Sequence, residues 1–406
     1  MRRKGRLSAL AKYDKHLYPS VHRGIVRAAL HLLTLESDPA AKRFSAADAD
    51  ILTEEAAAPD QHGDRHQGRG LHYYNSVKAD GSPLPKHPLT AGFCNGKGVP
   101  APSPLSVLDA EYRTTLALYC AGKTAASMKS LSRAMHMTAD ICCPPHSCSL
   151  TYFSLYGTAH KRYECRAAEI FWDSEPSLLS EERAAAEWAK SAVGKIPRQA
   201  YTDLLSGSVP VSGKEWKPSK FALICNTLAE SGAKHLDAVR GSDEAAREKS
   251  IRERLITAIA NCAALLIAFD RDLTENAPAI WREQHPYWLK TFHAAFTVSR
   301  EPFYLQFADE GTVSLITPSG KALAVGKHSR VMLTMPNPDV TTQFRFGREP
   351  LLTLYPDGDQ DRLLAQIRGQ LYCIRRAANM QGNIFVSQVS FALVNQPPKN
   401  ARFLLW

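Results

Sequence analysis

Five residues between positions 136 and 164 have the atoms and the spacing to do chemistry together: His136, Asp140, His146, His160 and Glu164. His136 and Asp140 are four apart, as are His160 and Glu164, so on helices each pair projects from one face. Imidazole nitrogen and carboxylate oxygen are good zinc ligands, and a metal needs several of them held convergent. A lone HxxxD step is usually a solvated face or a satisfied core pair. Five such residues could converge on one metal centre, and their offsets become informative only where a family prescribes them. Clustered zinc suits ester hydrolysis, because it acidifies water and offsets charge on a phosphoryl group.

The segment reads AMHMTADICCPPHSCSLTYFSLYGTAHKRYE, with Pro144 and Pro145 ending the first helix just before His146. It resembles the bacterial zinc-dependent phospholipases C of the alpha-toxin class, whose motif runs roughly HxxGDxxxPxH and then HxxxE. Ala139 stands at the glycine of that motif. VHRGIVRAALHLL resembles the family's first helix and places His22. AAAPDQHGDRHQGRGLHYYN resembles its carboxylate-to-histidine loop and places Asp60 and His72, with Asp64 as a rival to Asp60. AEYRTTLALYCAGK resembles the helix before the main motif. The likeness covers about residues 18–170 with specific motifs and continues as helical texture to about 290.

The resemblance implies a division of labour. His72, His136 and Asp140 would bind one zinc with Asp60 beside it, and His146, His160 and Glu164 a second. His22 and Asp140 would serve a third, Asp140 bridging two ions. The family completes that third site with an N-terminal tryptophan. Here no tryptophan precedes Trp172, so Asp14 or His16 would have to substitute. Asp60 would accept a proton or orient the attacking water, and the products would be diacylglycerol and a phosphorylated headgroup. Choline-specific members carry aromatic residues where Gln61 and Arg69 stand, so these two are the expected headgroup contacts, favouring anionic or hydroxyl-rich groups over quaternary ammonium. The related single-strand-specific zinc nucleases remain an alternative, although their second site usually ends in an aspartate where HKRYE has Glu164. A non-catalytic lipid-binding module is the third reading. His62 and His66 read mainly as exposed loop residues, the alternative being ligands or supports of the ligands, and His31 reads as helix surface.

These ligands need helices to hold them, and the texture supplies helices. Val21, Ile25, Ala28, Ala29, Leu32 and Leu33 fall on one face. Periodicity resumes from Leu108 to about Ile141 with a break near Gly122, and residues 180–275 are rich in helix formers. Leu255–Phe269, the longest apolar stretch, is too short for a bilayer and reads as a buried helix. The Gly/Pro-rich stretch 76–104 is a long loop. After Pro302 short β-rich runs such as TVSLIT, RVMLTM and NIFVSQVSFALV alternate with turns. The expected fold is therefore mainly α: a basic segment over 1–17, a multi-helix zinc phospholipase C/nuclease-type catalytic domain over 18–295, and a C-terminal antiparallel β-sandwich of about eight strands over 300–406 that meets a membrane or a partner.

With 406 residues, two cores are expected. The net charge of +10 favours anionic partners, whether a phospholipid surface or nucleic acid. MRRKGRLSAL has a basic start but no apolar run behind it, so the expectation is a cytoplasmic protein or export by a non-Sec route. Of nine cysteines, Cys142, Cys143 and Cys148 cluster, and they read as reduced thiols in a partly buried loop. Asp357, Asp359 and Asp361 have the spacing of a calcium loop without the rest of the pattern and read mainly as an acidic turn. Phe403–Trp406 could touch a bilayer or finish a strand.

Overall fold

A computed structural model describes residues 20–61, 64, 66, 71–86, 93, 103–151, 157–172, 178–205, 219–276, 280–291, 301–326, 331–335, 342–347, 353–356, 362–367, 370–375 and 386–392. The helices among them are α1 (Val21–Leu35), α2 (Ala46–Glu55), α3 (Pro104–Cys120), α4 (Thr124–Cys142), α5 (Pro144–Ser147), α6 (Gly157–Trp172), α7 (Leu178–Ala192), α8 (Lys220–Ala233), α9 (Leu236–Arg240) and α10 (Glu244–Thr274). Antiparallel strands follow: β1 (Trp288–Thr291), β2 (Tyr304–Phe307), β3 (Val313–Ile316), β4 (Ala322–Val325), β5 (Val331–Thr334), β6 (Phe344–Gly347), β7 (Thr353–Pro356), β8 (Arg362–Ile367), β9 (Gln370–Arg375) and β10 (Val386–Ala392). The protein is thus helical first and antiparallel β second.

The 31-residue α10 is the central helix, and α1, α4, α6 and α7 pack on it. Its start is fixed by Asp243, whose carboxylate accepts from the backbone N–H groups of Ala245 and Ala246. The apolar run Leu255–Phe269 lies inside it and is largely buried, as a helix ringed by others must be. α1 turns Ile25, Ala28, Ala29, Leu32 and Leu33 to the core. Its Gly24 lies under the rings of Phe171 and Trp172 at the end of α6, where a Cβ would come within 2.3 Å of Phe171. The missing side chain lets these two helices approach closely.

The break expected near Gly122 is real. Gly122 takes a φ of +77°, which terminates α3 and reverses the chain into α4. The carbonyls of Ala117, Leu118 and Tyr119 are satisfied by the turn's own N–H groups. At this end of the α3–α4 hairpin Ala117, Leu118 and Ala126 join a second apolar cluster with Tyr287, Phe303, Leu305, Phe307, Val313, Leu315 and Phe344. The sheet therefore sits on the hairpin.

Hydrogen bonding orders the strands β5-β4-β3-β6-β7-β10-β8-β9, with β1 on β10 and β2 on β3. β10 belongs to two ladders: Val386–Gln388 pair with β8, whereas Val389–Ala392 pair with β1. A strand that passes from one sheet to another makes a corner of the kind seen in stacked sheets. Ten strands lie among the described residues rather than about eight. β1 was not expected; it lies before residue 295 yet pairs with β10, and WLKT is too short to announce itself by alternation. β8 was not expected either. Asp357, Asp359, Asp361 and Phe403–Trp406 lie outside the described residues. No helix among the described residues is long and apolar enough to cross a membrane.

Candidate metal centre

Six segments deliver the predicted residues to one place. His22 sits in the first turn of α1. Asp60 ends a short 3-10 turn, Ala58–Asp60, that follows α2. His72 lies on the irregular segment after it. His136 and Asp140 share a face of α4, and His146 rides on α5, which starts at Pro144 because proline suits a first helical turn. His160 and Glu164 share a face of α6. The side chains of His136 and His160 are wholly buried and Asp140 is 2% exposed, whereas the Asp60 carboxylate is about half exposed.

Asp140 is the hub. Its Oδ2 lies 2.6 Å from His72 Nδ1 and 3.2 Å from His136 Nε2, while its Oδ1 lies 3.4 Å from His22 Nε2. His136 Nε2 and His72 Nδ1 are 3.3 Å apart. Asp60 closes the group from the rim, 3.7–3.9 Å from the nitrogens of His22, His136 and His72. Glu164 Oε1 lies 3.1 Å from His146 Nε2 and 2.7 Å from His160 Nε2. Donor atoms of Cys143, His146 and Glu164 all fall within 4.8 Å of one another, as do those of His22, Asp60 and His136 and those of His72, His136 and Asp140.

The other ring nitrogens explain what these distances mean. His72 Nε2 donates to the His66 carbonyl at 2.9 Å, and His136 Nδ1 to the Ala56 carbonyl at 2.7 Å. His146 Nδ1 donates to the His72 carbonyl at 2.8 Å, and His160 Nδ1 to the Leu150 carbonyl at 2.5 Å. Each neutral imidazole has only one N–H, so the nitrogen turned inward carries a lone pair. Lone pairs then face carboxylate oxygens at 2.6–3.2 Å. Acceptor facing acceptor at that range is repulsive unless positive charge lies between them. A proton can supply it, and so can a divalent cation, whose tetrahedral zinc geometry separates donors by about 3.3 Å. The donor set therefore fits a metal, and the backbone carbonyls orient its histidines as outer partners of a metal site do.

Without a cation, protons take that place. Burial works against a charged His136, but Asp140 and Asp60 outweigh it and raise its pKa to about 9. His146 also reaches about 9, burial being overcome by Asp140 and the bond to Glu164. Burial and the charge of His136 push His22 down to about 4. Asp140 is held well below the usual carboxylate range: burial opposes this, and His136, His146 and His72 prevail. Glu164 is lowered likewise, against burial, by the hydrogen bonds of His146 and His160.

The structure separates the two rival aspartates. Asp64 is engaged elsewhere, accepting from Arg133 at 3.0 Å and from the His66 backbone N–H at 2.8 Å, so Asp60 alone of the two reaches the centre. His66 departs from the exposed-loop reading and fits its alternative as a support of the ligands. It is buried, its ring meets Glu111 Oε1 at 2.7 Å, and its carbonyl anchors His72. Neither Glu111 on α3 nor Arg133 on α4 carried a sequence signal, because both act across distant segments. His31 is a partly exposed helix residue 2.8 Å from Glu182, as expected. Gln61 is exposed beside Asp60; Arg69, His62, Asp14 and His16 lie outside the described residues. The cysteine cluster is not a loop: Cys142 ends α4, Cys143 joins it to α5, and Cys148 follows α5. All three are free thiols; Cys142 and Cys148 are buried and Cys143 is partly buried. Tyr73, stacked 4.9 Å from the His146 ring, was not anticipated either.

No family model matches the sequence. No curated protein matches it. Among solved structures, the alpha toxin from Clostridium absonum superposes with a TM-score of 0.44 at 12% identity, covering 92% of this chain and 97% of the toxin. The Clostridium perfringens alpha-toxin from avian strain SWCP gives a TM-score of 0.40 at 12% identity, with the same coverage. At these values neither superposition assigns an activity to the chain, whose own geometry gathers histidine, carboxylate and cysteine donor groups that could hold a metal ion.

Proposed function

We propose that the chain is a zinc-dependent phosphodiesterase of the phospholipase C type, cleaving the glycerol-side phosphodiester of a glycerophospholipid. One observation carries the reading: four buried histidines each give one ring N–H to a backbone carbonyl and aim the other nitrogen at Asp140 or Glu164. The carboxylate–histidine set, its spacing and the Cys143 thiol nearby favour zinc over magnesium or calcium, which prefer oxygen alone. His22, Asp60, His72, His136 and Asp140 would hold the ions of one half, and His146, His160 and Glu164 the ion of the other.

Zinc bound there supplies charge that offsets the phosphodiester's and lowers the pKa of water towards about 7. The residues do the rest. Asp60, half exposed at the rim and within 3.9 Å of three ring nitrogens, is placed to accept the proton of a water attacking phosphorus. Buried Asp140 keeps its charge and fixes three imidazoles at once. The glycerol oxygen leaves with a proton from solvent, giving diacylglycerol and a phosphorylated headgroup. The phospholipid surface is the proposed partner, and the net charge of +10 suits an anionic one. Gln61 and Arg69 are proposed to meet the headgroup and to disfavour choline lipids. The test is zinc-dependent diacylglycerol release from mixed liposomes, run beside cleavage of single-stranded DNA. Diacylglycerol release abolished by chelation is expected; DNA cleavage alone would move the assignment to the nucleases.

A further inference from the structure

We propose that the Cys143 thiol is a fourth protein ligand at the His146–His160–Glu164 position, which makes that half of the centre a closed site with a thiolate. The inference rests on the metal reading above and adds a ligand to it.

Cys143 is the hinge between the two halves. Its N–H donates to the Asp140 carbonyl at 2.9 Å, and its carbonyl accepts from the His146 N–H at 3.0 Å. The backbone from the bridging aspartate to the second-half histidine is thereby fixed, with Cys143 in the middle. Cys143 and His146 bracket two prolines, and a two-residue gap between ligands is the spacing by which zinc sites commonly take a pair from one turn. Its sulfur lies within 4.8 Å of donor atoms of both His146 and Glu164. Around zinc, with a Zn–S bond of about 2.3 Å and a Zn–N bond of about 2.0 Å, sulfur and nitrogen stand roughly 3.5 Å apart, so a small rotation of the side chain completes the set. Glu164 Oε1 lies 3.1 Å from His146 Nε2 and 2.7 Å from His160 Nε2, so the carboxylate that shares a donor group with the thiol also reaches the second histidine.

Neighbouring Cys142 and Cys148 are core residues packed among apolar side chains; Cys143 only flanks that core and stays partly open. On binding, the sulfur–metal bond forms as the S–H proton leaves to solvent. Four protein ligands close a zinc site, whereas hydrolytic zinc keeps a position open. The attacking water then belongs to the other half, where Asp60 is exposed.

The full chain, stripped by chelation and reloaded with Co(II), tests this. The wild type is expected to show visible d–d bands and a near-ultraviolet thiolate-to-cobalt charge-transfer band. Cys143→Ser should lose the charge-transfer band, keep the d–d bands, and yield its cobalt to a competing chelator at least about tenfold more readily. Cys142→Ser and Cys148→Ser should keep the band. Wild-type d–d bands without charge transfer overturn the proposal and leave the metal reading standing, and this needs no variant to fold. A band that survives in Cys143→Ser also overturns it. No cobalt uptake by the wild type overturns both.

Discussion

Replacing Gly24 with alanine puts a methyl group where α1 crosses the end of α6. The added carbon would lie 2.3 Å from Phe171 Cε1, 2.6 Å from Cζ and 2.9 Å from Trp172 Cη2. Ordinary carbon contacts begin near 3.5 Å, so the Phe171 ring or the helix must move by about 1.2 Å. The ring has little room. It stacks on Trp188 at 5.5 Å with an 11° interplanar angle, meets Trp172 edge-on at 4.7 Å, and Trp188 Nε1 donates to the Phe171 carbonyl. Overpacking of this kind costs up to about 3 kcal/mol, while alanine returns about 1 kcal/mol of helix propensity. The expected net loss is about 2 kcal/mol, read as a lower urea midpoint at unchanged slope. Since His22 lies two residues earlier on α1, the same displacement should weaken metal at the His22–Asp60–His136 group before the His146–Glu164 group. Gly122→Ala, which meets no atom within 4 Å but keeps a φ of +77°, is the control for backbone strain without collision. A Gly24→Ala protein as stable as the wild type, with full metal content, would refute the reasoning.

His136→Ala and Asp140→Asn each remove a donor shared within the first half; both should lower bound metal and abolish hydrolysis, checked by elemental analysis and liposome assay. Glu111→Ala deprives the buried His66 ring of its carboxylate and loosens the carbonyl that holds His72; a 10–100-fold loss of metal affinity is expected from chelator competition. Metal-free protein should lose stability as pH rises from 6.5 to 9. His136 and His146, with folded pKa values of about 9 against 6.5 unfolded, contribute fully below 6.5 and lose that contribution as pH passes through 9. The zinc-induced rise in Tm should therefore grow across that window, and a rise that shrank would contradict proton-for-metal exchange.

The residues at the centre were legible where spacing is local. His136 with Asp140, and His160 with Glu164, are one helical turn apart, and the helix makes that spacing a shared face. The Gly122 break and the burial of Leu255–Phe269 were legible for the same reason. His22, Asp60 and His72 come from segments with no fixed spacing to α4, and only the resemblance of their surrounding motifs placed them. Glu111 and Tyr73 went unread because their roles arise from contacts between segments tens of residues apart, which no periodicity records. Cys143 sat in plain view of the motif, yet a cysteine beside two prolines looks the same whether it faces a core or a metal. In the β part, four-residue strands such as β1 are too short to show alternation.

The α3–α4 hairpin has a further mechanical consequence. Ala126, near the start of α4, packs in the cluster shared with the sheet, and Asp140, near its end, is the hub of the candidate metal centre. Fourteen residues of continuous α-helix separate them, about 21 Å at 1.5 Å per residue. One rigid strut thus spans from the sheet's seat to the hub. A surface that grips the sheet would hold the metal centre at a fixed height and tilt, and the reach of any tethered substrate would be measured against the length of α4.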